Sequence, residues 1–224
     1  MSGYNYESFG QCDIDAPDFW AVATIGTKAP DFNLADFDGN PVSLSSFAGK
    51  KHVLRPGGFA FLPPASGWTV HNESKAAVRF HWIRKAYEAV DGLDAPEAFF
   101  TNEQEIAPTP MPGTEGRWAT TRFVDPADLR HDMHMTIVTL EPGAVIPFAE
   151  THVMEHGLYV LEGKAVYRLN QDWVEVEAGD YMWLRAFCPQ ACYAGGPAKF
   201  RYLLYKDVNR HAKLGGAGIA RRAP

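Results

Sequence analysis

The runs MHMTIVTLEPG, GLYVLEG, KAVYRLN, DWVEVEAGD, YMWLRAF and FRYLLYKDV follow one another between residues 133 and 208, separated by Gly, Pro, Asn or Asp. Each run is about as long as one strand, and interruptions this frequent leave little room for a helical period to develop. Short strands at such spacing point to a sandwich or a barrel. The rest of the chain agrees, because 16 prolines and 20 glycines break 224 residues into short stretches, so the fold class is mainly β. Two helical exceptions are expected. One is DAPEAFFTNEQEI, residues 94–106; the other is a turn at Pro126–Leu129 with Asp125 as its N-cap.

Composition narrows the function. A formal net charge of -6, from 21 basic and 27 acidic residues, gives no positive footprint for a phosphate backbone, so nucleic acid is not an expected partner. No run approaches the ~18 apolar residues of a membrane span, and MSGYNYESFGQCDIDAP lacks the charged and apolar regions of a signal peptide. A cytoplasmic address follows. Three cysteines, Cys12, Cys188 and Cys192, are too few for a disulfide framework and read as buried or incidental thiols.

Four segments are expected along the chain. In residues 1–53, DFDGNPVSLSSF reads as a strand, an Asp-Gly-Asn turn and a second strand. In residues 54–111, Gly57-Gly58 opens an apolar strand, and WTVHN and AVRFHWIRKAY alternate like paired strands. Residues 112–212 hold the run of short strands, with LNQDWVEV as a tight hairpin connection, and residues 213–224 form a Gly/Ala-rich tail expected to be mobile.

Chemistry concentrates in ETHVMEHGLYVLEG, residues 150–163. Alternate residues of a strand share a face, so Glu150 and His152 project together, joined by His156 if the strand continues. A carboxylate with two imidazoles suits a first-row divalent metal. Gln190, after the Phe-Cys-Pro corner, offers a fourth ligand whose hard, neutral amide oxygen favours Mn2+ over zinc. Tyr167 and the pair Tyr202 and Lys206 lie on strand faces that would ring the metal if they point inward, and an interior lysine demands an anion or a shifted pKa. Glu155, one residue off the even pattern, should face outward, Glu162-Gly163 should mark a turn, and His71, His81, His131 and His134 read as structural or exposed.

The order of Gly143, Glu150, His152, His156 and Gly163, then GDYMWL and Pro189-Gln190, resembles the two motifs of the cupin superfamily. The permutation Glu, His, His, Gln, within FAETHVMEHGLYVLEGKAVYRLN, AFCPQACYAGG and YLLYKDVNRH, resembles the (S)-ureidoglycine aminohydrolase family of bicupins over residues 54–212. MPGTEGRWATTRFVDPADLRHDMHM fits that family's linker region. The resemblance implies a cupin barrel, a Mn2+ site of Glu150, His152, His156 and Gln190, and substrate binding by Tyr167, Tyr202 and Lys206. It implies hydrolytic release of ammonia from a small ureido acid in purine catabolism, Glu150 and Lys206 as the residues nearest the chemistry, and a homo-oligomer.

The N-terminal half departs from that pattern. GGFAFLPPASGWTVHN is similar to the second motif of the family's first cupin, with Trp68 in place of a metal histidine, but the preceding strands are missing. In their place, residues 26–53 resemble the opening of peroxiredoxins and redoxins. That likeness ends before a peroxidatic cysteine, since LRPGGFAF follows and no cysteine lies between Cys12 and Cys188. The expected architecture is therefore a bicupin with an incomplete or atypical first half. Beside the aminohydrolase stand two alternatives: another metal-dependent cupin enzyme of the Fe(II) oxygenase type, and a cupin that binds a small acid without turning it over or is an inactive hybrid.

Overall fold

A computed structural model describes residues 42–47, 50–64, 67–72, 74 and 76–210, with Val42–Phe47 and Lys50 described by their backbone alone. Cys12, the first strand of the expected hairpin in DFDGNPVSLSSF and the expected tail lie outside the described residues.

The N-terminal strands are short. β1 (Val42–Phe47) pairs antiparallel with β2 (Lys50–Leu54) on one side and with β4 (Thr69–Asn72) on the other, while β3 (Gly58–Phe61) pairs with β5 (Phe99–Asn102). Here two expectations need correction. Residues 94–106 are not a helix, because Phe99, Phe100 and Thr101 have side chains that favour a pleated surface and pair with β3. What remains helical is one 3-10 turn, Glu103–Glu105, started by Asn102 through a reciprocal capping box with Glu105. The partner of WTVHN is β1, since AVRFHWIRKAY makes no ladder. That segment keeps the alternation of a strand but is held by side chains. The rings of His81 and Tyr159 lie 4.3 Å apart, Lys85 Nζ lies 3.1 Å from Asp132 Oδ2, and Tyr87 donates to the Arg130 carbonyl at 3.0 Å.

From residue 109 onward two sheets enclose one core. The strands are β6 (Thr109–Pro110), β7 (Trp118–Arg122), β8 (Met133–Leu140), β9 (Val145–Glu150), β10 (His156–Glu162), β11 (Lys164–Leu169), β12 (Asp172–Glu177), β13 (Tyr181–Leu184), β14 (Gln190–Tyr193) and β15 (Phe200–Asp207). One sheet has the order β13-β10-β15-β8-β7-β6 and the other β12-β11-β14-β9. All pairings are antiparallel, giving the jelly-roll barrel that the spacing of short strands predicts. Two-residue alternation then sorts the side chains. Trp118, Val138, Leu140, Leu158, Val160 and Tyr202 meet Ala165, Tyr167, Val176 and Cys192 in the interior. Met135 and Ile137 of the same sheet point outward, into a second cluster with Phe123 that is covered by Phe59, Ile83, Leu203 and Tyr205. Each large aliphatic side chain so buried contributes roughly 1.5–3 kcal/mol.

The connections follow the expected turn chemistry. Asn170-Gln171 join β11 to β12 as a two-residue loop, with Leu169 opposite Asp172 and Asn170 at φ 60°, a conformation asparagine tolerates. Gly163 turns the chain between β10 and β11 at φ +79°. Near Asp125 the expected helical turn is a plain turn: Asp125 Oδ1 accepts from the Ala127 amide at 2.9 Å, but no helix continues. No helix among the described residues is long and apolar enough to cross a membrane.

Candidate metal centre

The barrel collects its polar residues at one mouth. Glu150 ends β9, His156 begins β10, Gln190 begins β14 and Lys206 lies near the end of β15. The expected continuation of one strand through His156 does not occur. Instead β9 stops at Glu150, residues 151–155 cross between the sheets as a loop, and His156 opens a strand of the opposite sheet. Register completes the assembly, with Gln190 opposite Glu150 on one wall and His156 opposite Lys206 on the other.

The side-chain geometry is close. Gln190 Nε2 lies 3.2 Å from His152 Nε2 and 3.4 Å from His156 Nδ1, and the two imidazole centroids are 4.3 Å apart. Glu150 Oε1 is 4.0 Å from His152 Nε2. Among the described residues no three His, Cys, Asp or Glu side chains make a metal group by themselves, so the amide of Gln190 is integral to any such site. An amide has two orientations; the second turns Oε1 toward both imidazoles and an N–H toward the Tyr167 hydroxyl, now 3.4 Å from Oε1.

The electrostatics suit a cation. Burial holds the His156 imidazole down to about 3, helped by His152 and Lys206, and burial also lowers His152 against the pull of Glu150. Both rings are therefore neutral at pH 7 and carry a free lone pair. His156 Nε2 and His152 Nδ1 are buried without a hydrogen-bond partner. These are the ring nitrogens turned away from Gln190, which faces His152 Nε2 and His156 Nδ1. The residues present thus fit a hard divalent ion in number, charge and donor type.

Around this cluster Tyr167 and Tyr202 are buried with ring centroids 6.2 Å apart, and burial raises both phenols far above their ordinary range, so they remain donors. Lys206 is lowered by burial, with Glu150 acting in the opposite sense. The expected inward face of Ala165, Tyr167 and Leu169 is the one observed, as is that of Tyr202 and Lys206. Glu155 is the correction. Burial raises its carboxyl despite a hydrogen bond from Ala186, and its amide donates to Asp207 Oδ1 at 2.5 Å, so it ties the loop to β15 instead of facing outward. Cys188 and Cys192 are thiols outside any disulfide, and burial pushes Cys192 up to about 12.

One residue passed over in the sequence also belongs to this wall. His134 sits opposite Lys206 on β8, buried, with Nε2 unpartnered. Strand parity could have found it, because His134, Thr136, Val138 and Leu140 share one face. Burial lowers its imidazole to about 4; Lys206, His131 and Arg122 push the same way and Asp125 opposes them. A histidine at its unfolded pKa of 6.5 takes up protons below that value while the folded one resists, so stability falls as pH drops through this window. The metal-free protein is expected to melt progressively lower from pH 6.5 to about 4. In His134→Gln the slope of melting temperature against pH should be shallower, and an unchanged slope would mean that the ring titrates normally.

The fold is that of a cupin barrel. Residues 136–205 match the cupin domain model, and the barrel of β7–β15 is a cupin barrel. The curated relatives carry one activity. The chain is 34% identical over 169 residues to the (S)-ureidoglycine aminohydrolase of Escherichia coli, covering 74% of this chain and 63% of the relative. Against the Arabidopsis thaliana enzyme the figures are 33% over 173 residues, 76% and 55%. The chain therefore spans between about half and two thirds of the length of these relatives. Among solved structures it is similar to a glyoxylate-induced protein from Pseudomonas aeruginosa, with 69% identity, TM-score 0.74, and 79% of this chain and 65% of that one covered. It also matches protein Ylba from E. coli, with 29% identity, TM-score 0.60, and coverage of 79% and 67%.

Proposed function

We propose that this chain releases ammonia from (S)-ureidoglycine to give (S)-ureidoglycolate, using Mn2+ held by Glu150, His152, His156 and Gln190. The observation that carries this is the amide of Gln190 seated 3.2 Å from the half-buried imidazole of His152 and 3.4 Å from the buried one of His156, an uncommon donor set found here in a barrel similar to curated aminohydrolases. When bound, the ion supplies Lewis-acid polarisation. Everything else falls to the chain. Lys206, an interior cation with no ion pair recorded among the described residues, pairs with the substrate carboxylate. Tyr167 and Tyr202, fixed as donors, orient the ureido oxygen.

In the hydrolysis a C–O bond forms between water and the carbon that bears the amine, while its C–N bond breaks. Water gives up a proton and the departing amine gains one, leaving as ammonia. Glu150, partly exposed at the mouth, is the carboxylate placed to carry that proton. Glu150 would thus serve both to hold the ion and to carry the proton.

The test is ammonia release from freshly generated (S)-ureidoglycine without oxygen and with added Mn2+, measured above the spontaneous decay in a no-enzyme control. Metal-dependent release that Glu150→Ala eliminates would support the assignment. For Lys206→Met the KM is expected to rise roughly tenfold or more, the usual effect of removing a charged hydrogen bond. No release from protein that still binds the ion would overturn it, and turnover only in oxygen would favour the oxygenase alternative.

A further inference from the structure

The interior wall formed by β7, β8 and β15 carries more positive charge than Lys206 alone. Trp118, Thr120 and Arg122 share a face of β7, and Trp118 belongs to the interior core while Phe123 belongs to the outer cluster. Arg122 therefore projects on the barrel side. It stands opposite Thr136, one step along β8 from His134, which in turn stands opposite Lys206. The guanidinium and the ammonium thus flank one buried imidazole. Each also lowers the proton affinity of that ring, as expected for charges gathered at one spot.

None of the three has its capacity used. Arg122 spends Nε on Thr120 Oγ1 at 3.2 Å and has no acidic partner among the described residues. His134 is 8% exposed, yet its Nε2 has no hydrogen-bond partner. A desolvated ring nitrogen between two cations, the exposed Arg122 and the buried Lys206 that also feels Glu150, is beside the candidate metal centre an incomplete binding site. The missing piece is an anion small enough to enter the mouth and flat enough to meet the fork of an arginine.

We propose that Arg122 and His134 join Lys206 in a clamp for the carboxylate of the substrate, with Arg122 as its outer jaw and His134 Nε2 bonding the ligand between the two cations. The proposal rests on the aminohydrolase assignment and adds to it the part of the wall that selects an acid over its amide.

The probe is N-carbamoylglycine, a ureido acid without the departing amine, titrated by calorimetry into the Mn2+-loaded full chain. N-carbamoylglycinamide serves as its uncharged counterpart. Arg122→Gln is expected to weaken the acid roughly tenfold to a hundredfold, with Arg122→Lys recovering part of the loss. The same change should leave the amide, the metal content and the melting temperature as they were. His134→Gln, which keeps a hydrogen-bonding side chain, should bind the acid more tightly than His134→Leu. If Arg122→Gln binds the acid like the unmodified protein while Lys206→Met does not, the clamp is overturned and the assignment of the reaction stands. Failure of the unmodified, metal-loaded chain to bind the acid at all would overturn both.

Discussion

Gln190→Leu is expected to abolish retention of Mn2+ through gel filtration and to cut ammonia release by more than about a hundredfold, the upper end of what losing even an outer-shell partner of a metal costs. The amide lies within 3.4 Å of both imidazoles and is opposite Glu150 in the ladder, so nothing else on β14 reaches the same point. Leucine keeps the volume and removes the donor atom. Gln190→Glu restores an oxygen and should regain binding, which separates the loss of a ligand from damage to the barrel. A leucine variant that retains both metal and turnover would show that the amide is not a ligand, and the proposed centre would fall.

Gly163→Ala is expected to have the largest effect on stability, although it lies at the far end of β10 from His156. At φ +79° a side chain costs about 1–2 kcal/mol, and the added Cβ would stand 2.2 Å from the carbonyl oxygen of Lys199. That oxygen is backbone at the entry to β15 and cannot swing aside, so a further overpacking penalty of about 1–3 kcal/mol is expected. The combined loss of about 2–5 kcal/mol is a large share of the stability of an ordinary domain. Chemical denaturation measures it directly. A loss under about 1 kcal/mol would show that the β10–β11 turn relaxes around the methyl group, contrary to the strain reasoning.

How far the sequence could be read depended on whether a signal was local. The C-terminal barrel was legible because its strands are separated by Gly, Pro and Asn, and parity alone groups Tyr202 with Lys206 and Tyr167 with Ala165 and Leu169 on shared faces, while the pairing of the sheets decides which faces are interior. The convergence of Glu150, His152 and His156 was legible as a set, but not its route, because only tertiary pairing reveals that the loop after β9 delivers His156 to the opposite sheet. His134 reads as structural or exposed, and parity places it on the face of Val138 and Leu140, but its position opposite Lys206 depends on the pairing of β15 with β8. A lone histidine gains meaning only when β15 brings Lys206 beside it. Where local preference misled, at residues 94–106, the charged and alanine-containing ends suggested a helix, while the central Phe-Phe-Thr found β3 and decided the outcome. The AVRFHWIRKAY segment shows the reverse, since alternation without a neighbouring backbone gives an extended strap and no strand.

β15 carries two faces with different duties in adjacent residues: Tyr205 and Leu203 pack beneath the outer strap, and Lys206 and Tyr202 line the lumen. Because a pleated strand alternates, sliding it by a single position would put Leu203 and Asp207, or Arg201 and Tyr205, where Tyr202 and Lys206 now stand. The ring of Tyr205, seated over Gly157 where even a methyl group would collide, acts as a notch against that slip. Substrate choice inside the barrel is in this sense indexed from outside it, by how one tyrosine docks on one glycine.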